Sequence, residues 1–313
     1  MKSMQTTSFL VFEGNTLIHE KYFGKHDKKT VSNSFSAAKT FVALLIGIAH
    51  QERKINSLDD SVGKYLESFN VGKKKKITIR HLLMMASGLN WQESGKNPLS
   101  ENAESYYGSD LTGLVRRQRV NDDPGVNFNY QSGNSQLLGF IVQKATGKTL
   151  SEFANEKIWS KIGTEHDAYW SLDKEGGTEK SFCCLYGTSG DFARLGKLIM
   201  NRGNWEGDQI IDPVFMENMV KNPQLNTEEN IPNYRYGHHI WTYLGYKHPV
   251  YYCRGILGQY IITIPEENII IVRTGFDRND AATNSPNKKE IGHPTDLFTY
   301  ISIANRLVST TKN

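Results

Sequence analysis

The stretch that decides the fold is SFSAAKTFVALLIGIA, residues 34–49. From Phe41 onward it is apolar on every side, which predicts a helix buried on all faces. Its first turn nevertheless carries Ser36 and Lys39, whose spacing places them on the same helix face. Burial disfavours the charge of a lysine, and so does the positive end of a helix dipole. Both effects predict an uncharged Lys39 amine beside a hydroxyl that it could deprotonate.

The Ser-x-x-Lys spacing alone carries little information, because the chain contains five such pairs. The other four lie in polar or terminal segments: Ser61/Lys64, Ser171/Lys174, Ser285/Lys288 and Ser309/Lys312. Only Ser36 opens a fully apolar helix, where burying a hydroxyl and an amine costs free energy. We therefore interpret Ser36 and Lys39 as the functional pair.

The totals exclude several classes of protein. The chain has 313 residues, which is enough for a large core and most naturally predicts two lobes. Its composition, 38% hydrophobic and 22% charged, is typical of a globular protein. A net charge of +4 is weak for a nucleic-acid binder, and no apolar run approaches the roughly 20 residues of a membrane span. Cys183, Cys184 and Cys253 fit neither a metal-site spacing nor a disulfide framework. We expect no metal, no cofactor, no nucleic-acid partner and no membrane span.

The order of predicted elements indicates an α+β fold. Residues 7–12 and 16–23 form a predicted hairpin, and residues 249–254, 259–264 and 268–274 are β-rich. Helices are predicted between these runs and at the end, over residues 77–89, 136–146, 150–158, 191–201 and 296–308. We expect one antiparallel sheet flanked by helices, built from residues 1–50 and 223–313. Residues 51–222 would form an inserted, mostly helical lobe.

Three further segments carry candidate chemistry. Tyr130 and Ser132 precede an apolar helix; capping explains a serine there, but a phenol adds nothing to a cap. Residues 255–259 place two glycines on a strand, either for close approach of a substrate backbone or as a β-bulge. Residues 90–124 are irregular and aromatic, which favours either a functional wall or a surface loop.

Together these segments resemble the serine β-lactamase and penicillin-binding superfamily, in particular its class C-like branch of esterases, peptidases and nylon-oligomer (6-aminohexanoate-dimer) hydrolases. The Ser36–Lys39 pair matches the first motif, and HLLMMASGL, residues 81–89, is similar to a segment that follows the central helix. Tyr130-Gln131-Ser132 resembles the Tyr-x-Asn element, with serine in place of asparagine. GILGQ, residues 255–259, resembles the segment that nylon-oligomer hydrolases carry instead of Lys-Thr-Gly.

The resemblance implies a β-lactamase/transpeptidase-like fold and acyl transfer through a serine ester on Ser36. Neutral Lys39 would take the serine proton and Tyr130 would relay it to the leaving group. As a base, Lys39 needs a pKa lowered from about 10.4 to roughly 7–8. The oxyanion donors would be the backbone amides of Ser36 and Ile256. Supporting roles are expected for Ser132, Gly255 and Gln259. Substrate binding is expected for His239 and Trp241.

The sequence also departs from the family pattern and leaves alternatives open. Lys-Thr-Gly is absent, and residues 273–275 (RTG) come too late, at the end of the next strand. The cation that helps to hold a β-lactam carboxylate is therefore missing. Ser132-Gly133-Asn134 also fits the Ser-x-Asn element of the other branch, with Ser132 as proton shuttle; we favour Tyr130.

The alternative function is a penicillin-binding sensor or a peptide-binding module that is acylated but turns over poorly. The substrate is expected to be a small molecule or short peptide; ester, D-amino-acid peptide, β-lactam and linear amide stay open. The resemblance suggests a periplasmic or secreted protein, although the sequence begins without a signal peptide. Compartment and oligomeric state stay open.

Overall fold

The computed structural model describes residues 4–227 and 230–311, so Lys312 of the terminal Ser-x-x-Lys pair lies outside the described residues. Its helices are α1 (Ala38–Gln51), α2 (Ile79–Leu83), α3 (Glu101–Tyr107), α4 (Leu111–Arg116), α5 (Ser132–Thr146), α6 (Leu150–Ala154), α7 (Ser189–Met200), α8 (Pro213–Val220) and α9 (Thr295–Thr311). Its strands are β1 (Thr6–Glu13), β2 (Thr16–Tyr22), β3 (Val31–Asn33), β4 (Asn127–Phe128), β5 (Tyr169–Trp170), β6 (Leu185–Thr188), β7 (Asn204–Trp205), β8 (Asp208–Gln209), β9 (Asn226–Thr227), β10 (Trp241–Tyr243), β11 (Val250–Gly255), β12 (Gln259–Ile264) and β13 (Ile269–Gly275).

Strands from both ends of the chain form the main sheet. Its order is β10-β11-β12-β13-β1-β2, and every neighbouring pair is antiparallel. Side chains alternate between its faces: Ile261 and Ile270 lie 2.9 Å from where a Cβ on Gly196 of α7 would be, whereas Ile262 packs in the cluster that contains Leu297 of α9. The predicted antiparallel sheet flanked by helices is confirmed. The division into residues 1–50 with 223–313 and residues 51–222 stays a prediction.

Helix α1 is buried on every side from Ala38 to Ala49. Phe41 stacks on Trp170, with ring centroids 5.7 Å apart, and a Cβ on Gly47 would lie 2.6 Å from the ring of Phe215. Such enclosure matches the apolar sequence of the helix. Among the described residues, neither α1 nor any other helix has the length and apolar character needed to cross a membrane.

The predicted helix over residues 77–89 is wrong beyond its first turns. A capping box between Thr78 and His81 starts α2, which ends at Leu83. Met85 has φ 56°, a left-handed conformation, and its carbonyl accepts a hydrogen bond from the Asn129 amide at 2.8 Å. Pairing with a distant segment therefore replaces the helical hydrogen bonds that the local pattern favoured.

Other differences from the sequence prediction are local. The 90–124 segment contains α3 and α4, capped by the side chains of Ser100 and Asp110. Helix α8, which starts with Pro213 after the capping Asp212, was not predicted. Cys183 and Cys184 form a disulfide with each other, whereas the sequence suggested none. Within residues 4–227 and 230–311 no group of three or more His, Cys, Asp or Glu side chains is placed to hold a metal ion.

Candidate active site

Ser36 lies on a single 3-10 turn, Phe35–Ala37, that leads directly into α1. Phe35 has φ 45°, a left-handed value that is unfavourable for a bulky residue. The Asn33 side chain accepts a hydrogen bond from the Phe35 amide at 2.8 Å, and the Ser34 amide donates to the Leu185 carbonyl at 2.8 Å. These contacts, together with the pairing of β3 and β6, hold the serine turn in this conformation.

Lys39 is enclosed by protein atoms, with 1% of its surface exposed. Its Nζ lies 3.2 Å from Ser36 Oγ, 3.0 Å from Ser132 Oγ and 2.7 Å from the Phe182 carbonyl oxygen. The carbonyl is close because β6 pairs with β3, directly before the serine turn. The structure therefore brings Ser132, 93 residues further along the chain than Lys39, next to the Ser36–Lys39 pair.

The surroundings of Lys39 favour the uncharged amine. Burial lowers the pKa of Lys39 from 10.5 to about 8, and the Glu93 carboxylate acts in the opposite direction. Desolvation dominates because the ammonium would lose its water on every side. A substantial fraction of neutral amine is therefore present at mildly alkaline pH.

Two tyrosines border the serine. The ring centroid of Tyr130 lies 5.3 Å from Lys39 Nζ. Ser36 is near enough to the phenols of Tyr130 and Tyr106 to act toward a lower pKa of each, although other effects are larger. Burial raises the pKa of Tyr130 and of Tyr106 well above 10, with Glu93 adding to each shift. Both phenols therefore keep their protons and serve as donors. From the sequence, Tyr106 belongs only to the irregular 90–124 segment, which was interpreted as a functional wall or a surface loop.

Glu93 was also missed by the sequence analysis. Its Oε1 accepts from the Ser132 hydroxyl at 2.6 Å, and its Oε2 accepts from the Ser132 amide at 2.7 Å and from Trp91 Nε1 at 2.8 Å. It stands at the N-terminus of α5, where a carboxylate is favoured by the helix dipole. The Gln131 side chain ties this loop to α5 by donating to the Leu89 and Trp91 carbonyls. No local pattern distinguishes Glu93 from the other acids of the segment.

The end of β11 lies against the serine turn. A Cβ on Gly255 would overlap the Ser34 carbonyl oxygen, so only glycine permits this close approach. Ile256 follows directly and its side chain is exposed, which leaves its main chain beside the turn. Gln259 braces the same segment, because its Nε2 donates to the Gly275 carbonyl at 2.6 Å.

A buried arginine holds the turn that follows Ile256. Arg273 is fully buried, and its Nη1 donates to the carbonyls of Leu257 at 3.0 Å and Gly258 at 2.7 Å. Leu257 has φ 60°, so the turn needs such external support. In the sequence Arg273 stood out only as part of a misplaced Lys-Thr-Gly look-alike; in the structure it supports the 255–259 segment.

His239 and Trp241 are buried beside the group of side chains around Ser36 and Lys39. His239 has no exposed surface; its Nδ1 lies 2.8 Å from the Leu83 carbonyl and its Nε2 lies 2.9 Å from Ser135 Oγ. Burial lowers the pKa of His239 to about 3, so the ring is neutral. The Trp241 ring centroid lies 5.5 Å from that of Tyr130. Substrate contact by either residue stays a prediction.

Comparison with known proteins places this geometry in a family. A family model described as Beta-lactamase matches residues 1–284. The chain belongs to the beta-lactamase family. The resemblance to the serine β-lactamase and penicillin-binding superfamily is thus confirmed.

Solved structures and curated protein sequences both include proteins similar to this chain. A putative 6-aminohexanoate-dimer hydrolase from Bacillus anthracis superimposes with a TM-score of 0.84 at 24% identity, covering 98% of this chain and 81% of the other, which confirms the β-lactamase/transpeptidase-like fold. The 6-aminohexanoate-dimer hydrolase of Paenarthrobacter ureafaciens is 23% identical over 234 residues, 69% of this chain and 57% of that protein. Protein flp of Staphylococcus aureus (strain MW2) is 24% identical over 173 residues, 52% of this chain. The match spans only 34% of flp, so the chain corresponds to part of these relatives.

The lowered pKa of Lys39 predicts a specific pH dependence of stability. Between about pH 8 and 10.5 the unfolded chain holds a proton on Lys39 that the folded chain has lost, so the free energy of unfolding rises with pH there. Relative to Lys39→Met, the wild type should gain up to roughly 3 kcal/mol between pH 7.5 and 10.5 in urea denaturation. Lys54→Met, at an exposed lysine, controls for loss of one charge. Parallel profiles for wild type and Lys39→Met would contradict the lowered pKa.

Proposed function

We propose that this chain is a serine hydrolase that cleaves amide or ester bonds through an acyl-enzyme on Ser36, as in the class C-like branch of the family. The observation that carries the proposal is the 3.2 Å separation of Lys39 Nζ and Ser36 Oγ, with the lysine buried and its pKa lowered to about 8. A hydroxyl is a weak nucleophile at its ordinary pKa, and an adjacent neutral amine is the base that activates it. The reaction needs no metal or cofactor.

The first step forms the acyl-enzyme. Ser36 Oγ attacks the substrate carbonyl carbon while its proton passes to Lys39, which becomes an ammonium. The negative charge that develops on the substrate oxygen is stabilised by the backbone amides of Ser36 and Ile256, each worth about 10²–10³ in rate. Gly255 supports this role because it lets β11 approach the serine turn closely.

The second step releases the leaving group and then the acid. Tyr130 donates its proton to the departing amine or alkoxide as the carbon–heteroatom bond breaks, and the Lys39 ammonium returns a proton to the phenol. A water molecule then attacks the ester, and its proton returns through the same groups, so that Ser36 regains its hydroxyl. The raised pKa of Tyr130 suits a donor, because the phenol stays protonated between turnovers.

Tyr130 suits the role of shuttle better than Ser132. The only hydroxyl proton of Ser132 is directed to Glu93 Oε1 at 2.6 Å, so it is not available to a leaving group. Tyr130 instead borders Ser36, where the leaving group departs, and Ser36 acts toward a lower pKa of its phenol. This contrast supports Tyr130 as acid and base, with Ser132 in support.

The substrate class follows from the family and from the residues around the serine. The Paenarthrobacter relative is named a hydrolase of the 6-aminohexanoate dimer, a linear amide, which places linear amides among the candidate substrates. Tyr106, next to Ser36, and the exposed Tyr107 put an aromatic wall on one side of the nucleophile. We propose that this wall, with Trp241 behind Tyr130, selects the acyl group.

Replacing the nucleophile tests the proposal. Ser36→Ala should lower turnover of a chromogenic short-chain ester by about 10⁴-fold or more, because it removes the oxygen that forms the acyl bond. Ser61→Ala, which changes the serine of another Ser-x-x-Lys pair, should keep wild-type activity. Turnover retained in a folded Ser36→Ala protein would refute the assignment. Stoichiometric labelling of Ser36 by a fluorescent penicillin without ester turnover in the wild type would favour the sensor instead.

A second pair of variants decides the shuttle. Tyr130→Phe should reduce kcat for the same ester by about 10²–10⁴-fold, the usual value of general acid–base catalysis. Ser132→Ala should cost less, because it removes a support and not the donor. Steady-state kinetics on both purified variants provide the comparison. A severe loss in Ser132→Ala with a mild one in Tyr130→Phe would reverse the assignment.

A further inference from the structure

Glu93 is connected to the candidate nucleophile Ser36 by hydrogen bonds through two side chains, Ser132 and Lys39. Three hydrogen bonds reach its carboxylate, from the Ser132 amide, the Ser132 hydroxyl and Trp91 Nε1. All three partners are donors, which is the environment of an ionised carboxylate. The contact between Ser132 Oγ and Glu93 Oε1 is short, at 2.6 Å, as expected for a hydroxyl that donates to a charged oxygen.

This contact fixes the direction of the next hydrogen bond. A serine hydroxyl has one proton and two lone pairs. Because the proton of Ser132 points to Glu93, only lone pairs face Lys39 Nζ at 3.0 Å. Lys39 is therefore the donor in that contact. The Phe182 carbonyl, at 2.7 Å from Nζ, has no proton either, so Lys39 is the donor there as well.

The count of hydrogens on Lys39 then determines where its lone pair points. A neutral amine has two hydrogens and one lone pair. Ser132 and the Phe182 carbonyl take the two hydrogens, and the remaining polar contact is Ser36 Oγ at 3.2 Å. The lone pair is thus left for the proton of the Ser36 hydroxyl, which is the orientation that a general base requires.

We propose that Glu93 is a positioning residue: by holding the proton of Ser132 it directs the lone pair of Lys39 toward Ser36. The inference rests on the proposed function, because it assigns Glu93 a part in preparing the same base. Without the carboxylate, the Ser132 proton is free to turn toward Lys39. It would then occupy the lone pair and leave a hydrogen of the amine facing the nucleophile.

Glu93 is also the charged group that opposes the effect of burial on the pKa of Lys39. Burial lowers the pKa of Lys39, and the attraction of Glu93 raises it. The other titratable groups around Lys39 are uncharged near neutral pH, since the pKa values of Tyr130 and Tyr106 are raised and that of His239 is lowered to about 3.

Two cations lie on neighbouring elements and contact other groups. Lys180, two residues before Phe182, donates from its Nζ to the Tyr106 carbonyl at 2.5 Å. The guanidinium carbon of Arg254 lies 3.6 Å from the ring centroid of Trp241. Because Glu93 attracts the ammonium of Lys39, loss of its negative charge should make that ammonium less stable and lower the pKa of Lys39.

The test is the pH profile of kcat and kcat/KM for Glu93→Gln with the chromogenic ester. We expect kcat to fall by up to roughly 10²-fold with KM little changed, the size of loss that a misdirected catalytic group produces. The acid limb of the kcat/KM profile, which reports the pKa of the base in the free enzyme, should move to lower pH. A group that only stabilised the fold would not shift that limb.

Matched variants separate orientation from charge. Glu93→Asp keeps the charge, so its acid limb should stay near the wild-type position while kcat lies between wild type and Glu93→Gln. Glu101→Gln removes a carboxylate at the start of α3, where it accepts from the Gln92 amide, and should leave both parameters unchanged. In a Ser132→Ala background, Glu93→Gln should cost much less in kcat, because the relay is already broken.

The outcomes distinguish this inference from the proposed function. If Ser36→Ala abolishes turnover but Glu93→Gln leaves kcat and the acid limb unchanged, the positioning role is refuted and the hydrolase assignment stands. Additive losses for Glu93→Gln and Ser132→Ala would also refute it. If Glu93→Gln does not fold, a Glu93→Asp protein with wild-type kcat would count against the inference, and a reduced kcat with an unmoved acid limb would support it.

Discussion

The enclosed amino group of Lys39 is the constraint on which the rest of the structure depends. An ammonium at this depth has lost its water, so its pKa falls to about 8, and the group is retained only because protein atoms satisfy its hydrogen bonds. This arrangement costs stability at neutral pH, where folding must either bury the charge or release the proton. Costs of this kind are typical of sites under functional demand.

The fold supplies each partner of that amine from a different part of the chain. The 3-10 turn that leads into α1 places Ser36 three residues before Lys39, the pairing of β3 and β6 brings the Phe182 carbonyl close to Lys39, and α5 presents Ser132. The sheet built from both ends of the chain brings Gly255 against the serine turn. The position of the candidate nucleophile is thus over-determined, which allows Phe35 to keep an unfavourable backbone conformation.

The sequence predicted the parts of this arrangement that rest on local spacing or composition. An apolar run with Ser36 and Lys39 at its start has a helical period. The glycine at 255 was interpreted as room for a substrate backbone or as a β-bulge, whereas in the structure it lies against the Ser34 carbonyl oxygen. Glu93 could not be found in this way, because the partner that connects it to the site, Ser132, lies 39 residues further along the chain. The Phe182 carbonyl could not be predicted from side-chain patterns either, because it is a main-chain group 143 residues from Lys39. The end of α2 was missed because Met85 pairs with a distant segment instead of continuing the helix.

The central claim is that Lys39 is a neutral amine at mildly alkaline pH because it is buried. The most direct measurement is an NMR titration of the lysine ε-carbons, with the Lys39 signal assigned by its loss in Lys39→Met. This resonance should titrate near pH 8, well below the resonances of the other lysines. A midpoint in the ordinary lysine range near 10.4 would contradict it.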